Sequence, residues 1–206
     1  MLILNIGGSM AKLFFRYGAM NCGKSTALMQ VAHNYEERGL KVLVLKPKVD
    51  TKADNKISSR IGLEREVDHL IDSSEDIYEY IKGKDINCVI IDEVQFLNPK
   101  QIDQLLLVAI IEDIPVICYG LRTDFQTKGF PGSTRLLEIA HTIEEMKTIC
   151  RCGEKAMFNA RKVNGKFVFD GDQVAIDGKD KITYESLCCK CYYEEKNKKK
   201  QLVKNK

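Results

Sequence analysis

The chain holds 206 residues, 44% hydrophobic and 30% charged, enough apolar material for one core or a core with a small satellite lobe. No apolar run approaches the ~20 residues that span a bilayer, so the composition argues against a helical membrane protein. The formal charge of +3 is unevenly spread: six of the 32 basic residues stand in the acid-free tail Lys196–Lys206, and the other 26 face 29 acidic ones. A slightly acidic body lacks the positive face that a nucleic-acid binder needs. The tail, 193–206, reads as a disordered, solubilising end. Met1–Ile6 is apolar but short and without a basic flank, so it is not read as a signal peptide. Met10 is an alternative start, and residues 1–12 read as an N-terminal extension.

Leu13–Tyr17 is a short apolar strand. It runs into Gly18-Ala19-Met20-Asn21-Cys22-Gly23-Lys24-Ser25, which fits G-x-x-x-x-G-K-[ST]. Lys24–Glu37 then carries Leu28, Val31, Ala32 and Tyr35 at helical spacing, with Gly39 as a stop. Strand, Gly-rich turn and helix are the context a phosphate loop requires. The glycines let successive N–H groups turn inward at phosphate oxygens, and the helix N-terminus favours negative charge. Lys24 is expected to reach the β- and γ-phosphates and Ser25 to bind Mg²⁺, with Thr26 completing the loop. An ordinary Gly-rich turn with an exposed lysine is the bland alternative.

Lys41–Leu45 is a second strand, closed by Pro47. Residues 48–66 are polar without period and read as a loop. Val67–Ile71 reads as a strand and Ser74–Ile81 as a helix capped by Ser73 or Ser74. Cys88–Ile91 is wholly apolar, as a central parallel strand covered on both faces should be. It ends in Asp92-Glu93, at the carboxyl edge where ligands bind in open α/β sheets. Asp92 suits the holding of Mg²⁺ and Glu93 a base or water-positioning role, although two solvated acids at a strand end would look the same. Pro99–Ile111 is a helix with proline in its first turn, and Val116–Tyr119 another buried strand. This alternation implies an α/β fold, a mostly parallel sheet with helices on both faces.

The pattern changes after Cys150. Asn164-Gly165, between alternating residues of Lys162–Phe169, signals a type I′ hairpin. Five of the eight cysteines, Cys150, Cys152, Cys188, Cys189 and Cys191, gather here. Without a secretory signal they read as metal ligands before disulfides, and as marks of a reducing cytoplasm. His33, His69 and His141 sit in unrelated contexts and suggest no chemistry. The loop and the acidic pair together imply use of a nucleoside triphosphate. They do not choose between an ATPase acting with nucleic acid and a kinase of a small alcohol.

Four strings carry a more specific message: Gly18–Thr26, Ser58-Ser59-Arg60-Ile61-Gly62, Asp92-Glu93-Val94-Gln95-Phe96 and Tyr119-Gly120-Leu121-Arg122-Thr123-Asp124-Phe125. With the cysteine-flanked lobe, they make the chain resemble the type II thymidine kinases over about Ala11 to Tyr192. The resemblance implies a RecA-like P-loop domain at 13–149 and a small, β-rich, zinc-ribbon-like lobe at 150–192. It implies transfer of the ATP γ-phosphate to the 5′-hydroxyl of thymidine, with deoxyuridine as a secondary substrate. Glu93 would be the general base, with Lys24 and Arg60 catalytic beside it. Arg60 and Arg122 would steady negative charge. Met20, Phe96, Leu121, Arg122 and Phe125 would line the nucleoside pocket, with Phe125 stacked on the pyrimidine. A lasso through Val174, Ile176, Gly178 and Tyr184 would close over the base, reading it largely through backbone groups. A homotetramer and inhibition by dTTP are implied as well, with no nucleic-acid or membrane partner.

The family often carries a structural zinc held by two cysteine pairs. Cys188-Cys189-Lys190-Cys191 supplies C-x₂-C, which suits tetrahedral thiolate binding. Cys150-Arg151-Cys152 is only C-x-C, with Ile149 where the family has its first cysteine. Either Cys150 substitutes in a tight knuckle, giving zinc at Cys150, Cys152, Cys188 and Cys191, or the lobe holds reduced thiols and relies on its hairpin.

Overall fold

The computed structural model describes residues 10–48, 55–173 and 181–204. Strand β1 (Leu13–Tyr17) leads through the Gly-rich turn into α1 (Lys24–Glu36), and β2 (Val42–Pro47) follows. A hairpin of β3 (Lys56–Ser58) and β4 (Glu64–Glu66) precedes β5 (His69–Ile71) and α2 (Ile77–Ile81). Next come β6 (Cys88–Ile91), a 3-10 turn at Val94–Phe96, α3 (Pro99–Ile111) and β7 (Val116–Gly120). The body closes with α4 (Pro131–Ile139) and β8 (Thr142–Glu145).

Six of these strands form one parallel sheet in the order β5-β2-β6-β7-β1-β8. All four residues of β6 are buried, because the sheet is covered on both faces. Val89 and Ile91 join Leu13, Phe15 and the apolar sides of α2, α3 and α4. Cys88 and Ile90 face the other way, against Leu28 and Ala32 of α1. Since β6, β7 and β1 are neighbours, their carboxyl ends bring Asp92-Glu93, the Leu121 segment and the P-loop to one edge.

The structure departs from expectation in the polar stretches. Within 48–66, read as a loop, β3 and β4 pair antiparallel. Only Ile57 of this ribbon is fully buried, so the sequence carries no apolar alternation to announce it. Helix α2 starts at Ile77 rather than Ser74. Its cap is Asp76, whose side chain accepts from the Glu79 N–H, while Ser74 binds the Asp72 carboxylate in the preceding turn. No element was expected between 121 and 149, where α4 and β8 lie. Strand β8, Thr142-Ile143-Glu144-Glu145, is a charged edge, which discourages further pairing.

The second lobe comprises β9 (Thr148–Ile149), β10 (Lys155–Ala156), β11 (Phe158–Val163), β12 (Lys166–Val168), β13 (Ile182–Leu187) and α5 (Cys189–Lys204). Strands β12, β11 and β13 form an antiparallel sheet. Asn164 and Gly165 turn its first hairpin at φ 50° and 80°, as a type I′ turn requires. The tail is not the disordered end expected: α5 runs to Lys204. Tyr192 anchors its first turns in a small core with Ala160, Phe169 and Leu187. Glu195 then accepts from Arg151 at 2.6 Å and Lys198 at 3.1 Å, and good helix formers follow.

Candidate active site

The P-loop is a tight curl that only certain residues can make. At Gly18 an added Cβ would stand 2.4 Å from the Met146 carbonyl oxygen and 2.5 Å from Cys22 Sγ, so no side chain fits. Gly23 enters α1 in the left-handed region at φ 84°, where glycine is favoured. Lys24 folds back over the curl, its ammonium donating to the carbonyls of Ala19 (3.1 Å) and Gly18 (3.3 Å).

A cavity of about 330 Å³ opens beside this loop, lined by Asn21, Gly23, Lys24, Ser25 and Thr26. The β3–β4 hairpin supplies its opposite wall through Ser58, Ser59, Arg60 and Ile61. A second cavity of about 230 Å³ is walled by Phe96, Phe125 and Phe130, with Gln95, Asn159, Gln173 and Tyr184 as its polar groups. Met20, Glu93 and Leu121 line both, so the cavities meet at these three residues.

Glu93 is held at φ 51°, a left-handed conformation unusual for this residue type, where β6 gives way to the 3-10 turn. Its carboxylate accepts from Gln95 Nε2, and Gln95 Oε1 in turn accepts from the Leu121 N–H at 3.0 Å. Gln95 is thus a buried strut that aims the acid at the junction. Asp92, one residue earlier, is only 4% exposed. Burial, reinforced by the neighbouring Glu93 charge, pushes its carboxyl up to about 7, against the pull of Lys46 and Lys24. Asp92, at the carboxyl end of β6, and the Ser25 hydroxyl, in the first turn of α1, are oxygen donors of the kind a hard divalent cation takes.

The family model described as thymidine kinase matches residues 11–192. The chain belongs to the thymidine kinase family. It is 46% identical to the thymidine kinase of Photorhabdus laumondii over 194 residues, 91% of this chain and 95% of that protein. It is 47% identical to the thymidine kinase of enterobacteria phage T4 over 191 residues, 90% and 97% of the two chains. Against the thymidine kinase of Francisella tularensis subsp. holarctica the identity is 43% over 194 residues, 90% and 98% of the two.

With the family known, the expected site residues can be placed one by one. Lys24, Ser25, Thr26, Asn21, Gly23 and Arg60 line the first cavity. Phe96, Phe125 and Tyr184 line the second, and Met20, Leu121 and Glu93 line both. Ala19 is buried under the loop, and Cys22 stands with its sulfur 3.7 Å from Lys24 Nζ. Arg122 reaches neither large cavity; it lies over the Tyr17 ring at 5.4 Å and lines a small crevice with Gly18 and Ala19. Val174, Ile176 and Gly178 lie outside the described residues.

Sequence reasoning missed Arg161. This guanidinium is 5% exposed and sits 3.7 Å above the Phe125 ring. It donates to Tyr184 Oη at 3.0 Å and to the carbonyls of Asp172 and Gln173 at 2.8 Å each. One face of Phe125 is therefore already covered. Gln173 Nε2 donates to Asp124 at 3.2 Å, which ties the same segment to the β7–α4 connection. Asn159, Ala160 and Arg161 are buried in succession on β11, so no alternation in the sequence marks the arginine as inward.

The four cysteines come together. The Sγ atoms of Cys150, Cys152, Cys188 and Cys191 all lie within 4.8 Å of one another, with Cys152 and Cys188 3.6 Å apart. Thiolates about 2.3 Å from a tetrahedral zinc would stand at about that mutual spacing. Cys150, and not the exposed Ile149, brings its side chain into the cluster. Gly153, at φ 92°, lets the knuckle fold so that its N–H meets the Cys150 carbonyl at 2.9 Å, while Ile149 is 76% exposed. Cys191 N–H points at Cys188 Sγ, and Cys189 lies outside the cluster against Met157. The donor set and spacing fit a closed structural zinc.

Proposed function

We propose that the chain transfers the γ-phosphate of ATP to the 5′-hydroxyl of thymidine, giving dTMP and ADP in pyrimidine deoxynucleotide salvage. The observation that carries this reading is the position of Glu93 at the junction of two cavities, one shaped by a phosphate loop and one by aromatic side chains. In the first, inward N–H groups and Lys24 bind the β- and γ-phosphates, while Arg60 steadies charge from the facing hairpin. Ser25 and Asp92 would hold Mg²⁺, which when bound neutralises phosphate charge. In the second, Met20, Phe96, Leu121 and Phe125 hold the nucleoside beside Tyr184; the lasso expected through Val174, Ile176, Gly178 and Tyr184 is read as closing over the base. Arg122, expected to steady negative charge, stands over Tyr17 beside Gly18 and Ala19 and is given no contact with the nucleoside. Glu93 takes the proton of the 5′-hydroxyl as that oxygen attacks the γ-phosphorus. The bond to the bridging oxygen breaks, and ADP leaves with that electron pair.

Cys150, Cys152, Cys188 and Cys191 would hold Zn²⁺, which staples the lobe that completes the second cavity. Deoxyuridine, lacking only the 5-methyl group, is a weaker substrate, since one methyl in an apolar pocket is worth a modest factor. A homotetramer in the cytoplasm, inhibited by dTTP spanning both cavities, completes the reading. Among the described residues no helix is long and apolar enough to cross a membrane. An ATPase acting with nucleic acid is the alternative, favoured by no observation at the second cavity.

A panel of ATP and Mg²⁺ with each deoxynucleoside tests the proposal. Selective dTMP formation, with deoxyuridine slower, is expected. ADP release without a nucleoside monophosphate, stimulated by DNA, would replace it with the ATPase.

A further inference from the structure

The tip of the P-loop is gripped by the second lobe. Met20 N–H donates to Asn159 Oδ1 at 2.7 Å, and Met20 O accepts from the Ser186 hydroxyl. Asn159 lies on β11 and Ser186 on β13, and the two residues are paired across that sheet. They are 4% and 8% exposed, so both bonds are shielded from water. A third contact comes from Thr148 Oγ1, 3.5 Å from the Asn21 carbonyl. Both polar main-chain groups of one loop residue are therefore satisfied by side chains more than a hundred residues away in sequence.

This grip has consequences for the phosphate site. The Met20 N–H is committed to Asn159, so it does not join the donors that face phosphate. The next residue, Asn21, takes φ 66°, a left-handed conformation that an isolated loop would leave readily. With the Met20 peptide fixed on both sides, the direction of the following N–H groups is fixed as well. Gly18 cannot yield either, since Met146 and Cys22 close on its Cα.

We propose that Ser186 and Asn159 are positioning residues of the phosphate loop: the acceptor-side lobe sets the geometry of the donor site through Met20. The proposal rests on the kinase reading above. Ser186 is the cleaner probe, because it lines neither large cavity, whereas Asn159 lines the second. Losing a net hydrogen bond to the loop corresponds to roughly a five-fold change in an equilibrium.

The test is steady-state kinetics of Ser186→Ala and Ser186→Thr, with both KM values and thermal midpoints measured beside the parent. Ser186→Ala is expected to raise the KM for ATP about five-fold, while the KM for thymidine moves less than about two-fold. Ser186→Thr, which keeps the hydroxyl, should restore the ATP value. A lowered midpoint with both KM values unchanged, or with both raised equally, would overturn the proposal. If the parent phosphorylates no nucleoside, the kinase reading itself fails. Should Ser186→Ala not fold, the Ser186→Thr enzyme and Asn159→Ser decide: a raised ATP KM must follow loss of the grip on Met20 and not mere substitution.

Discussion

The cleft beside the P-loop takes its polar groups chiefly from two short runs of chain, Asn21 to Thr26 and the hairpin residues Ser58 to Arg60 that lean across it. The aromatic cavity takes its own from Gln95, Asn159, Gln173 and Tyr184, which belong to four separate segments of both lobes. The first is framed by a strand, a curl and a helix contiguous in sequence, with Met20 at the tip of the curl held by Asn159 and Ser186 of the second lobe. The second exists only after the lobes have docked. Its walls should accordingly be the more fragile, and the more easily altered without harm to nucleotide binding.

The largest effect expected from this contrast lies in the cysteine cluster. Structural zinc contributes on the order of 10 kcal/mol to a small domain that has little else, and this lobe has only a modest apolar core. Cys188→Ser should leave the 150–192 segment open to limited proteolysis while the body stays resistant. The parent should release about one zinc per chain on denaturation in chelator. A metal-free parent with an unaltered midpoint in the variant would leave the cysteines as ordinary thiols, and the two sides would not differ in this respect.

Glu93 stands where the cavities meet and acts on the reacting hydroxyl, so its isosteric replacement should cost turnover far more than binding. Glu93→Gln is expected to lower kcat by ~10²-fold or more with little change in ATP affinity. Turnover near that of the parent would remove Glu93 as the base. The amide oxygen of the Glu93→Gln variant can still accept from Gln95 Nε2, so the strut is kept, and ATP affinity is measured directly, by titration.

Arg161 separates the sides more sharply. Arg161→Met keeps much of the bulk over Phe125 but loses the bonds to Tyr184, Asp172 and Gln173. These three bonds shape the cavity wall and do not touch thymidine directly, so only part of their worth reaches binding: the KM for thymidine should rise about ten-fold, while the KM for ATP holds. An ATP effect as large as the thymidine effect would show that the cavities are not separable at this residue.

The same contrast explains what could be read before folding. The curl at Gly18–Thr26 was legible because its chemistry is contiguous: the spacing of Gly18, Gly23 and Lys24 is dictated by the phosphate it must wrap. Strand β6 and its acids were legible because a doubly covered strand must be apolar until it reaches the edge. Phe96, Phe125 and Tyr184 came only with the family resemblance. Arg161, Asn159 and Ser186 were not legible, because a polar residue on a short hairpin strand shows no period that tells inward from outward. The tail misled for a related reason: lysine-rich composition signals solvation, and the Tyr192 and Glu195 contacts that start α5 are tertiary.

The smallest expected effect tests the hairpin that walls the donor cleft. Arg65 on β4 is bound to Glu36 at the end of α1 by two bonds, of 2.7 and 3.0 Å. Hydrogen bonding from Arg65 holds the Glu36 carboxyl below its usual range, with burial opposing and the Arg65 charge assisting. The folded value is depressed, so the pair's contribution is fully present above the unfolded value near 4.5 and is lost as pH falls through the folded one. Both side chains are partly exposed, which limits the pair to less than about 1 kcal/mol. Arg65→Ala should therefore lower the thermal midpoint slightly at pH 7, and the gap should close as pH falls through the lowered folded value of Glu36. Because the hairpin carries Arg60 over the cleft, the KM for ATP should rise modestly at pH 7 and the KM for thymidine should not. A thymidine effect here would mean that the hairpin serves both cavities, and that the donor side is less local than its sequence suggests.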